Sequence, residues 1–508
     1  MSWKTINRED PQYASLAVCW RQEEDRQRKV YVVEGLAPGE RTLATNDRDV
    51  MTTCTAILER MIYAKINGVL VKRQCKSYHY YREKLDLFKY KLIRAVGRTI
   101  APYSPEEFVE TYKGRKRTLY ENALEDYVES QISAFDARLR TFMKVEKVPF
   151  NKSPRGIQPR SPHYNIALGR YIKRMEKPIF KAIAKVFKQD IVVFKGMNVE
   201  EQGQAAAKIS RKYKNPVYVG IDASRFDASV DKGLLEWEHT IYTNLNRDPI
   251  LKRLLRYQTW NVGTAYCPDG VVRYKMSGGR GSGDMNTSLG NCIIMCAIVF
   301  MWMMQCAVRF DLMNNGDDCL CVMESEDLDQ FRTGLPDYAL SLGFRLTTEE
   351  PVYTLEEAEF CQMHAIEVEP DNWRFVRNSK TAREKDTMCL MPLTDEVTTR
   401  KWMYAVGECG LALCSGVPIM QEFYKAFMRE GIDSSFKNAP YFQSSFIYTG
   451  RGMESKERII TDHARASYFV AWGITPDEQV AMEEYYMNWK FDFKLNDGDI
   501  TTIPVTPY

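Results

Sequence analysis

The fold is decided by the stretch Asn314-Asn315-Gly316-Asp317-Asp318-Cys319-Leu320-Cys321-Val322, in which two adjacent carboxylates follow a glycine. Apolar residues before and after Gly-Asp-Asp predict two buried strands joined by a tight turn, which Gly316 permits. Asp317 and Asp318 at the tip would repel each other. A divalent cation that prefers oxygen ligands, such as Mg²⁺ or Mn²⁺, would remove that repulsion. The simpler alternative for a lone Gly-Asp-Asp is an ordinary hairpin turn.

Two more acids lie upstream, in the segment 216–227. The apolar run that begins at Pro216 predicts a short strand that stops at Asp222. That carboxylate, beside the Gly-Asp-Asp turn, would complete a site for two metal ions about 3.5–4 Å apart. Asp227 lies on the turn into a helix, where it is better placed to contact a substrate. The alternative for both acids is capping of a helix N-terminus.

Between these acids a glycine-rich loop runs into a predicted helix. Gly281 and Gly283 allow the backbone to approach a nucleic-acid strand or a nucleotide closely. Thr287 and Asn291 are four residues apart and share one helix face, which Ser282 at the edge of the loop can join. The alternative is a flexible linker, but the spacing of the Ser, Thr and Asn residues favours an ordered site.

In this order, Asp-x₄-Asp, Ser-Gly-x₃-Thr-x₃-Asn and Gly-Asp-Asp resemble motifs A, B and C of viral RNA-dependent RNA polymerases. The spacing fits that family, since 60 residues separate Asp222 from Ser282 and 35 separate Ser282 from Asp317. The wording is closest to the tombusvirus-like plant viruses in GIDASRFDASV, SGDMNTSLGN and PRGIQPRSPHYNIALGRYIK. The resemblance extends from about residue 144 to about residue 385.

This resemblance implies an α+β fold, a right-hand polymerase with fingers, a palm and a thumb, closed by fingertips. The palm would be an antiparallel sheet with flanking helices. The implied divisions are fingertips at 1–60, fingers with some palm crossing at 61–215, a palm carrying motifs A to E at 216–385 with a fingers insertion at about 235–275, and a thumb with a C-terminal tail at 386–508. The pattern from 84 to 144 predicts mainly helix.

The resemblance also implies the activity and the roles of the central residues. The chain would copy RNA for a positive-strand RNA virus by template-directed nucleotidyl transfer from NTPs. Asp222, Asp317 and Asp318, with the carbonyl of Ala223, would be catalytic and would hold two Mg²⁺ or Mn²⁺ ions. The residues expected to hydrogen-bond the ribose 2′-hydroxyl are Asp227, Ser282, Thr287 and Asn291.

A basic run interrupted by prolines lies upstream of the first acid strand and resembles motif F, which lines the nucleotide tunnel. Prolines keep such a segment extended, so that its cations project from it. The cations expected to bind the triphosphate, in a motif at about 144–162, are Lys144, Lys147, Lys152, Arg155 and Arg160. The alternative is a solvated basic loop.

Downstream, Glu359-Phe360-Cys361-Gln362 resembles motif E, the hairpin that grips the primer or the initiating nucleotide. The residues expected to contact template or primer are Phe360, Cys361, Gln362, Gly281 and Gly283. Lys380 and Arg383 are further candidates for contact with the triphosphate. Many polymerases of the family offer a lysine of motif D as general acid. This chain departs from that pattern, because no lysine lies between Lys275 and Lys380, and Arg345 does not readily give up a proton.

Composition limits the class of protein. Seventy Lys and Arg residues against 67 Asp and Glu give a net charge of +3, which implies cations concentrated along a channel while acids cover the outside. Thirteen cysteines include no Cys-x₂-Cys pair, which argues against zinc sites, and suggest a reducing compartment. The apolar run 292–304 is shorter than the roughly 20 residues of a membrane span and predicts a buried helix.

The partners implied are an RNA template, nascent RNA and NTPs, together with a viral auxiliary replicase protein and host factors. The readthrough extension that anchors tombusvirus-like replicases is expected to be absent. Recruitment from the host cytoplasm to membrane-bound replication complexes would then need another segment or partner. Two alternatives stay open: a reverse transcriptase, against which Asp227 with Asn291 speaks, and a non-catalytic RNA-binding replication scaffold, against which the intact acids speak.

Overall fold

The computed structural model describes residues 3–5, 13–21, 27–37, 39–66, 69–435, 450–494 and 498–499. Helices make up 47% and strands 19% of the described residues, so the mixed class predicted from the sequence is confirmed. Most of the polar C-terminal stretch, 495–497 and 500–508, lies outside the described residues.

The described strands are β1 (Trp3–Thr5), β2 (Ala14–Trp20), β3 (Tyr31–Val32), β4 (Leu43–Thr45), β5 (Tyr63–Ile66), β6 (Val69–Lys72), β7 (Leu139–Met143), β8 (Lys147–Pro149), β9 (Gly156–Ile157), β10 (Pro216–Ala223), β11 (Trp260–Cys267), β12 (Gly270–Ser277), β13 (Asp311–Asn315), β14 (Asp318–Glu324), β15 (Leu346–Thr348), β16 (Glu359–Phe360), β17 (Met363–Glu369), β18 (Asn372–Arg377) and β19 (Met388–Cys389).

The described α-helices are α1 (Val50–Ile57), α2 (Tyr78–Val96), α3 (Pro105–Glu110), α4 (Gly114–Leu124), α5 (Pro162–Phe187), α6 (Val199–Ser210), α7 (Phe226–Ser229), α8 (Lys232–Leu245), α9 (Pro249–Arg256), α10 (Thr287–Cys306), α11 (Leu328–Arg332), α12 (Leu335–Ser341), α13 (Ser379–Thr387), α14 (Glu396–Cys414), α15 (Met420–Glu430), α16 (Asp462–Trp472) and α17 (Pro476–Asn488). A π-helix, Leu58–Ile62, continues α1, and 3₁₀ turns lie at Glu129–Gln131 and Ser325–Asp327.

A four-stranded antiparallel sheet of order β13-β14-β10-β15 positions the Gly-Asp-Asp turn. Side chains from these strands pack with α2, α5, α8 and α10 in one large hydrophobic core. Because α10 is apolar on nearly all sides, it is buried within this core. The buried helix predicted at 292–304 is therefore present, and it begins earlier, at Thr287.

The same helix α10 is the one described helix that is long and apolar enough to cross a membrane by length and composition. Its most apolar window is 72% buried within the protein, as in the core helix of a globular domain.

A separate six-stranded sheet has the order β1-β2-β12-β11-β7-β9. Its strands come from the N-terminus, from 139–157 and from 260–277, so β11 and β12 leave the four-stranded sheet that surrounds them in sequence. One face packs on α1 and the π-helix through a smaller core. The prediction of mainly helix from 84 to 144 is wrong in its last part, because α4 ends at Leu124 and β7 begins at Leu139.

The N-terminal segment contacts the C-terminal third of the chain. Strand β3 pairs with β19, and Val30 forms a β-bridge with Asp499. The Glu384 carboxylate accepts hydrogen bonds from the backbone N–H groups of Thr42 and Leu43. The three-stranded sheet β16-β17-β18 packs with the helices α6, α14, α15 and α16 in a second large core.

Candidate active site

The Gly-Asp-Asp stretch forms the tight hairpin that the sequence predicts. Strands β13 and β14 close on the pair Asn315 and Asp318, which leaves a two-residue turn of Gly316 and Asp317. Gly316 has a φ of +83° while Asp317 does not have a positive φ, the backbone pattern of a type II′ turn, which favours glycine at its first central position. The side-chain amide of Asn314 donates to the Gly316 carbonyl at 2.7 Å and fixes the turn.

Asp222 lies beside this turn on the neighbouring strand. The last paired residues of β10 and β14 are Ile221 and Cys319, so the next position on each strand carries Asp222 and Asp318. Ala223 is the last residue of β10. All three carboxylates reach solvent at the same end of the sheet. Asp222 and Asp318, 96 residues apart in sequence, therefore share one edge, because antiparallel pairing aligns the end of β10 with the start of β14.

The electrostatics of this edge favour a divalent cation. Partial removal from water and the neighbouring carboxylates of Asp317 and Asp222 raise the pKa of Asp318 to about 6. In the described part of the chain no ion pair neutralises these three acids, and no three His, Cys, Asp or Glu side chains are arranged to hold a metal by themselves. The clustered carboxylates repel one another, as the raised pKa of Asp318 shows, and a hard cation such as Mg²⁺ would remove that repulsion.

A second polar group lies between α7 and α10. Asn291 Nδ2 donates to Asp227 Oδ1 at 2.7 Å, and Arg280 Nε donates to Asn291 Oδ1 at 3.1 Å. Burial raises the pKa of Asp227, while Asn291 and Arg280 oppose that shift. These contacts fix which way the Asn291 amide points. The helix face predicted for Asn291 does carry it to Asp227.

Sequence reasoning missed the residues that support this pair. Arg280 forms an ion pair with Glu238, and both side chains are fully buried. The Asn286 amide donates to Glu238 Oε1 at 3.0 Å and accepts from Gln258 at 2.8 Å. Two features of the sequence could have identified these residues. Glu238 is an acid among the apolar positions of α8, and Arg280 is an arginine inside a glycine-rich loop. Because a buried charge needs a partner, these two residues are candidates to pair with each other.

The glycine-rich loop is held by hydrogen bonds on both sides. Thr287 Oγ1 donates to the Gly281 carbonyl at 2.7 Å, so the Thr287 hydroxyl supports the loop. Ser282 accepts at its carbonyl from the Gln158 backbone N–H at 2.8 Å and donates its own N–H to the Gln158 side chain at 2.9 Å. Gly283 has a φ of +130°, which L-residues rarely adopt.

A cavity of about 540 Å³ opens between these groups. Asp227, Asn291, Gly316 and Asp317 line it, together with Gly283 of the loop. Its basic lining residues are Lys116, Arg155, Lys173 and Lys195. The cavity therefore joins the acid edge, the polar pair and several cations in one space, which suits a substrate with both phosphates and hydroxyls.

Lys173 and Lys195 were missed by sequence reasoning. The Lys195 ammonium lies beside the turn, since a Cβ atom at Gly316 would be 3.5 Å from its Nζ. Lys173 Nζ lies 3.6 Å from the ring centroid of Tyr112, and Lys116 Nζ lies 4.9 Å from it. Lys116 belongs to the basic stretch 112–117, but Lys173 sits on a long amphipathic helix, where a lysine normally faces solvent.

Arg155, one of the cations predicted to bind the triphosphate, lines the cavity. Its Nε donates to Glu146 Oε1 at 2.7 Å, and its Nη2 donates to Glu146 Oε2. Lys144 pairs with the same carboxylate at 3.0 Å. The pKa of Arg155 is raised, first by its hydrogen bond to Glu146 and further by the Asp317 and Asp227 carboxylates. Lys152 is exposed at the neighbouring turn.

The prediction that Arg160 binds the triphosphate is wrong. Its side chain is only 3% exposed and uses its donors inside the protein. It bonds to Asp284, with Nε at 2.5 Å from Oδ1, to Asn261 at 2.8 Å and to the Ala137 carbonyl. Lys147 is also directed elsewhere, because its Nζ donates to the Lys385 carbonyl at 2.5 Å. The spacing of basic residues in the sequence does not show which of them line the nucleotide tunnel and which are buried.

The motif E segment forms a hairpin with a two-residue turn at Cys361 and Gln362, both with positive φ. Its tip meets the acid hairpin, since Asn315 Nδ2 donates to Cys361 Sγ at 3.2 Å. The prediction for Phe360 is wrong, because this side chain is 2% exposed and packs against Phe194 and Phe375.

Two further candidates lie away from the cavity. Arg383 is buried, and its guanidinium donates to the Tyr486 hydroxyl at 2.5 Å and to the Ser379 carbonyl at 3.1 Å. The prediction that Arg383 contacts the triphosphate is therefore wrong. Lys380 is exposed on α13 and does not line the cavity.

The family model for viral RNA-dependent RNA polymerases matches residues 17–494. This chain belongs to the viral RNA-dependent RNA polymerase family. It is 41% identical over 397 residues to the RNA-directed RNA polymerase of tobacco necrosis virus strain A, which covers 77% of this chain and 55% of the relative. It is 38% identical over 456 residues to that of maize chlorotic mottle virus, covering 88% and 47%.

The RNA-directed RNA polymerase of tomato bushy stunt virus is 33% identical over 478 residues, covering 93% of this chain and 58% of the relative. The resemblance to tombusvirus-like polymerases is thereby confirmed. The chain spans about half the length of the curated relatives that it matches.

Proposed function

We propose that this chain is the polymerase part of a viral replicase and catalyses RNA-directed synthesis of RNA. The observation that carries the proposal is the meeting of Asp222, Asp317 and Asp318 at one sheet end, where Asp317 also lines the cavity that contains Asp227 and Asn291. Acids alone suit many phosphoryl transfers, whereas acids beside a polar pair suited to a ribose hydroxyl indicate a polymerase that uses ribonucleotides.

The domain assignment follows from the sheets. The four-stranded sheet with its buried helices would be the palm, the six-stranded sheet the fingers, and the helices from α14 onward the thumb. The N-terminal segment would form the fingertips. Its pairing of β3 with β19 and its contacts to Glu384 and Asp499 support that proposal, because they join the N-terminal segment to the C-terminal third of the chain.

The acid edge would hold two Mg²⁺ or Mn²⁺ ions through Asp222, Asp317 and Asp318, with the carbonyl of Ala223. When bound, such ions increase the acidity of the attacking hydroxyl and neutralise charge on the leaving group. The rigid turn at Gly316 and the paired strands fix where the three carboxylates point. The chain's own contribution is therefore to hold oxygen ligands at the place where the RNA 3′ end and the triphosphate meet.

Recognition of the ribose would fall to Asp227 and Asn291, with Ser282 beside them and Thr287 supporting the loop. Asp227 has one carboxylate oxygen hydrogen-bonded to Asn291, so the other can accept a hydrogen bond from a 2′-hydroxyl. A buried polar pair that bonds a hydroxyl rejects a nucleotide lacking it, because its groups are then left unpaired. This pair also speaks against the reverse transcriptase alternative.

Arg155 would bind the triphosphate together with Lys144 and Lys152. Arginine presents two parallel donors, which match phosphate oxygens as they match Glu146. Gly281, Gly283, Cys361 and Gln362 remain the proposed contacts to template and primer, since they lie on the loop and hairpin that flank the acid edge. Lys116, Lys173 and Lys195 are added to the RNA-contacting set because they line the same cavity.

The proposed partners are an RNA template, the nascent RNA and NTPs, with a viral auxiliary protein and host factors in the complete replicase. The proposed setting is a membrane-bound replication complex in the host cytoplasm. Copying would rely on base pairing, so the cavity would bind backbone and A-form shape more than base edges.

The test is incubation of the purified protein with an unprimed RNA template, labelled NTPs and Mg²⁺ or Mn²⁺, followed by sizing of the product. We expect a template-length RNA that is complementary to the template and requires the divalent ion. Products made equally well from dNTPs, or pyrophosphate release that does not depend on an RNA template, would contradict the proposal.

A further inference from the structure

One face of the six-stranded sheet is covered, and the other is exposed along β7 and β11, while Cys19 and Val271 on that second face are buried. Along β7 and β11 the buried residues alternate with exposed ones, as in a sheet that is covered on one side only. The open side, here called the outer sheet face, presents Arg140, Phe142, Trp260, Tyr266, Arg273 and Lys275. Its aromatic side chains are unusually open, with Tyr266 76% exposed, Phe142 54% and Trp260 43%.

Strand register sets these side chains in rows across the sheet. Thr264 pairs with Arg273 on one side and with Arg140 on the other, so two arginines flank one position. One step further along the same strands, Tyr266 lies next to Phe142. In the opposite direction Val262 pairs with Lys275. Two rows that carry cations therefore lie between Tyr266 with Phe142 at one end and Trp260 at the other, and successive rows are roughly 7 Å apart, two residues along each strand.

The outward positions that the structure describes on this face carry positive charge. The outward positions of the central strands are Ser15, Ala17, Cys19, Arg140, Phe142, Trp260, Val262, Thr264, Tyr266, Val271, Arg273 and Lys275. None of these described positions is an acid. Within the described residues, neither Arg140 nor Lys275 belongs to an ion pair. A protein partner of ordinary composition would bring both signs of charge, whereas this face complements a polyanion.

The edge of this sheet meets the cavity. Strand β9 is followed directly by Gln158, whose backbone N–H donates to the Ser282 carbonyl at 2.8 Å. Strand β7 runs into the segment that carries Lys144 and Arg155. The β9 edge of the sheet therefore lies beside the glycine-rich loop, whose Gly283 lines the cavity.

We propose that the outer sheet face binds single-stranded RNA outside the cavity. Exposed aromatic rings stack on unpaired bases, and cations between them bind the backbone, whereas duplex RNA offers no free base faces. This inference rests on the proposed function only in taking RNA as the polymer. It adds a second contact area that would hold a template strand beyond the reacting nucleotides.

The test uses two fluorescently labelled oligouridines, one short enough to fill only the cavity and one long enough to extend beyond it. Dissociation constants are measured for the wild type, for Tyr266→Ala/Phe142→Ala and for Arg140→Gln/Lys275→Gln. The controls are Tyr90→Ala, an aromatic residue 61% exposed on α2, and Lys91→Gln beside it. All these side chains are exposed, and melting temperatures verify that each variant folds.

We expect the aromatic variant to bind the long oligouridine about tenfold or more weakly, with the short one unaffected. The cation variant should reduce the slope of log affinity against log salt by about 1.4, from two lost phosphate contacts. Wild-type affinity in both variants, or an equal loss in the α2 controls, would overturn the proposal and leave the face to a protein partner. RNA binding that depends on this face without any nucleotide incorporation would overturn the proposed function alone.

Discussion

The side-chain amide of Asn291 donates a hydrogen bond to the carboxylate of Asp227 at 2.7 Å. This bond joins the first turns of α10 to the short helix α7, which follows the strand that carries Asp222. The same contact therefore couples the group proposed to sense the sugar to the strand proposed to hold the metal ions. A change at Asn291 should alter sugar selection without removing an acid ligand.

Replacing Asn291 with Ala should reduce discrimination against dNTPs. Loss of one hydrogen-bonding partner in a buried pair costs about 1–3 kcal/mol, so the ratio of NTP to dNTP efficiency should fall about tenfold to hundredfold. The measurement is kcat/KM for single-nucleotide addition with matched NTP and dNTP. Asn244→Ala, at an exposed asparagine of α8, should leave the ratio unchanged. An unaltered ratio in Asn291→Ala would refute the role in sugar selection.

Replacing Arg280 with Lys should also lower the ratio of NTP to dNTP efficiency, because Arg280 positions the Asn291 amide. Lysine can keep the charge opposite Glu238 but does not reproduce the planar donor set that also holds Asn291 Oδ1. We expect a lower NTP to dNTP ratio together with lower stability. Arg374→Lys, at another buried arginine paired with an acid, is the control for lost stability. If both variants show the same sugar ratio as the wild type, Arg280 is only structural.

Replacing Arg155 with Ala should raise the KM for NTPs. A charge-assisted hydrogen bond contributes about 1.5–3 kcal/mol, which corresponds to a rise of roughly tenfold or more, with a smaller change in kcat. Initial rates across a range of NTP concentrations provide the measurement. Arg117→Ala removes an exposed arginine that pairs with Glu121 on α4 and should leave the KM unchanged. A change confined to RNA affinity would argue against a triphosphate contact at Arg155.

His239 should make the protein less stable in acid. Burial lowers its pKa from 6.5 to about 4 in the folded state, so the unfolded chain binds the proton more readily. The stability contributed at neutral pH is therefore lost as the pH falls from about 6.5 towards about 4. Denaturant unfolding at several pH values should show this loss, and His239→Gln should show a shallower one. If the free energy of unfolding depends equally on pH in the two proteins, the loss of stability cannot be assigned to His239.

Local sequence patterns predicted the residues at the centre of the site because these residues lie within a few short segments of the chain. Gly316 between apolar runs predicts its own turn, and Thr287 and Asn291 share a helix face by spacing alone. Placing Asp222 beside Asp318 needed the resemblance, since strand register is not visible in one sequence. The partners of Arg160 and Arg280 lie on distant elements, Asp284 and Glu238, and burial decided their roles.

Phe360 and Arg383 show the same limit at the other end of the chain. Their neighbours along the sequence suggest contact with primer and triphosphate, yet Phe360 faces the core through the pleat of a short hairpin, and Arg383 faces α17. Which face of an element is covered depends on elements far away in sequence. The N-terminal contacts to Asp499 and Glu384 were equally invisible, although a bridging role for that segment was expected.

The most direct test of the central claim, that Asp222 of β10 and the two acids of the β13–β14 hairpin form one catalytic centre, is a single-turnover incorporation assay on Asp222→Asn and Asp317→Asn. We predict rates lower by about a thousandfold or more, since metal ligation supplies several kcal/mol of transition-state stabilisation. Melting temperature and RNA affinity should stay at wild-type values. Incorporation near the wild-type rate in either folded variant would contradict the account.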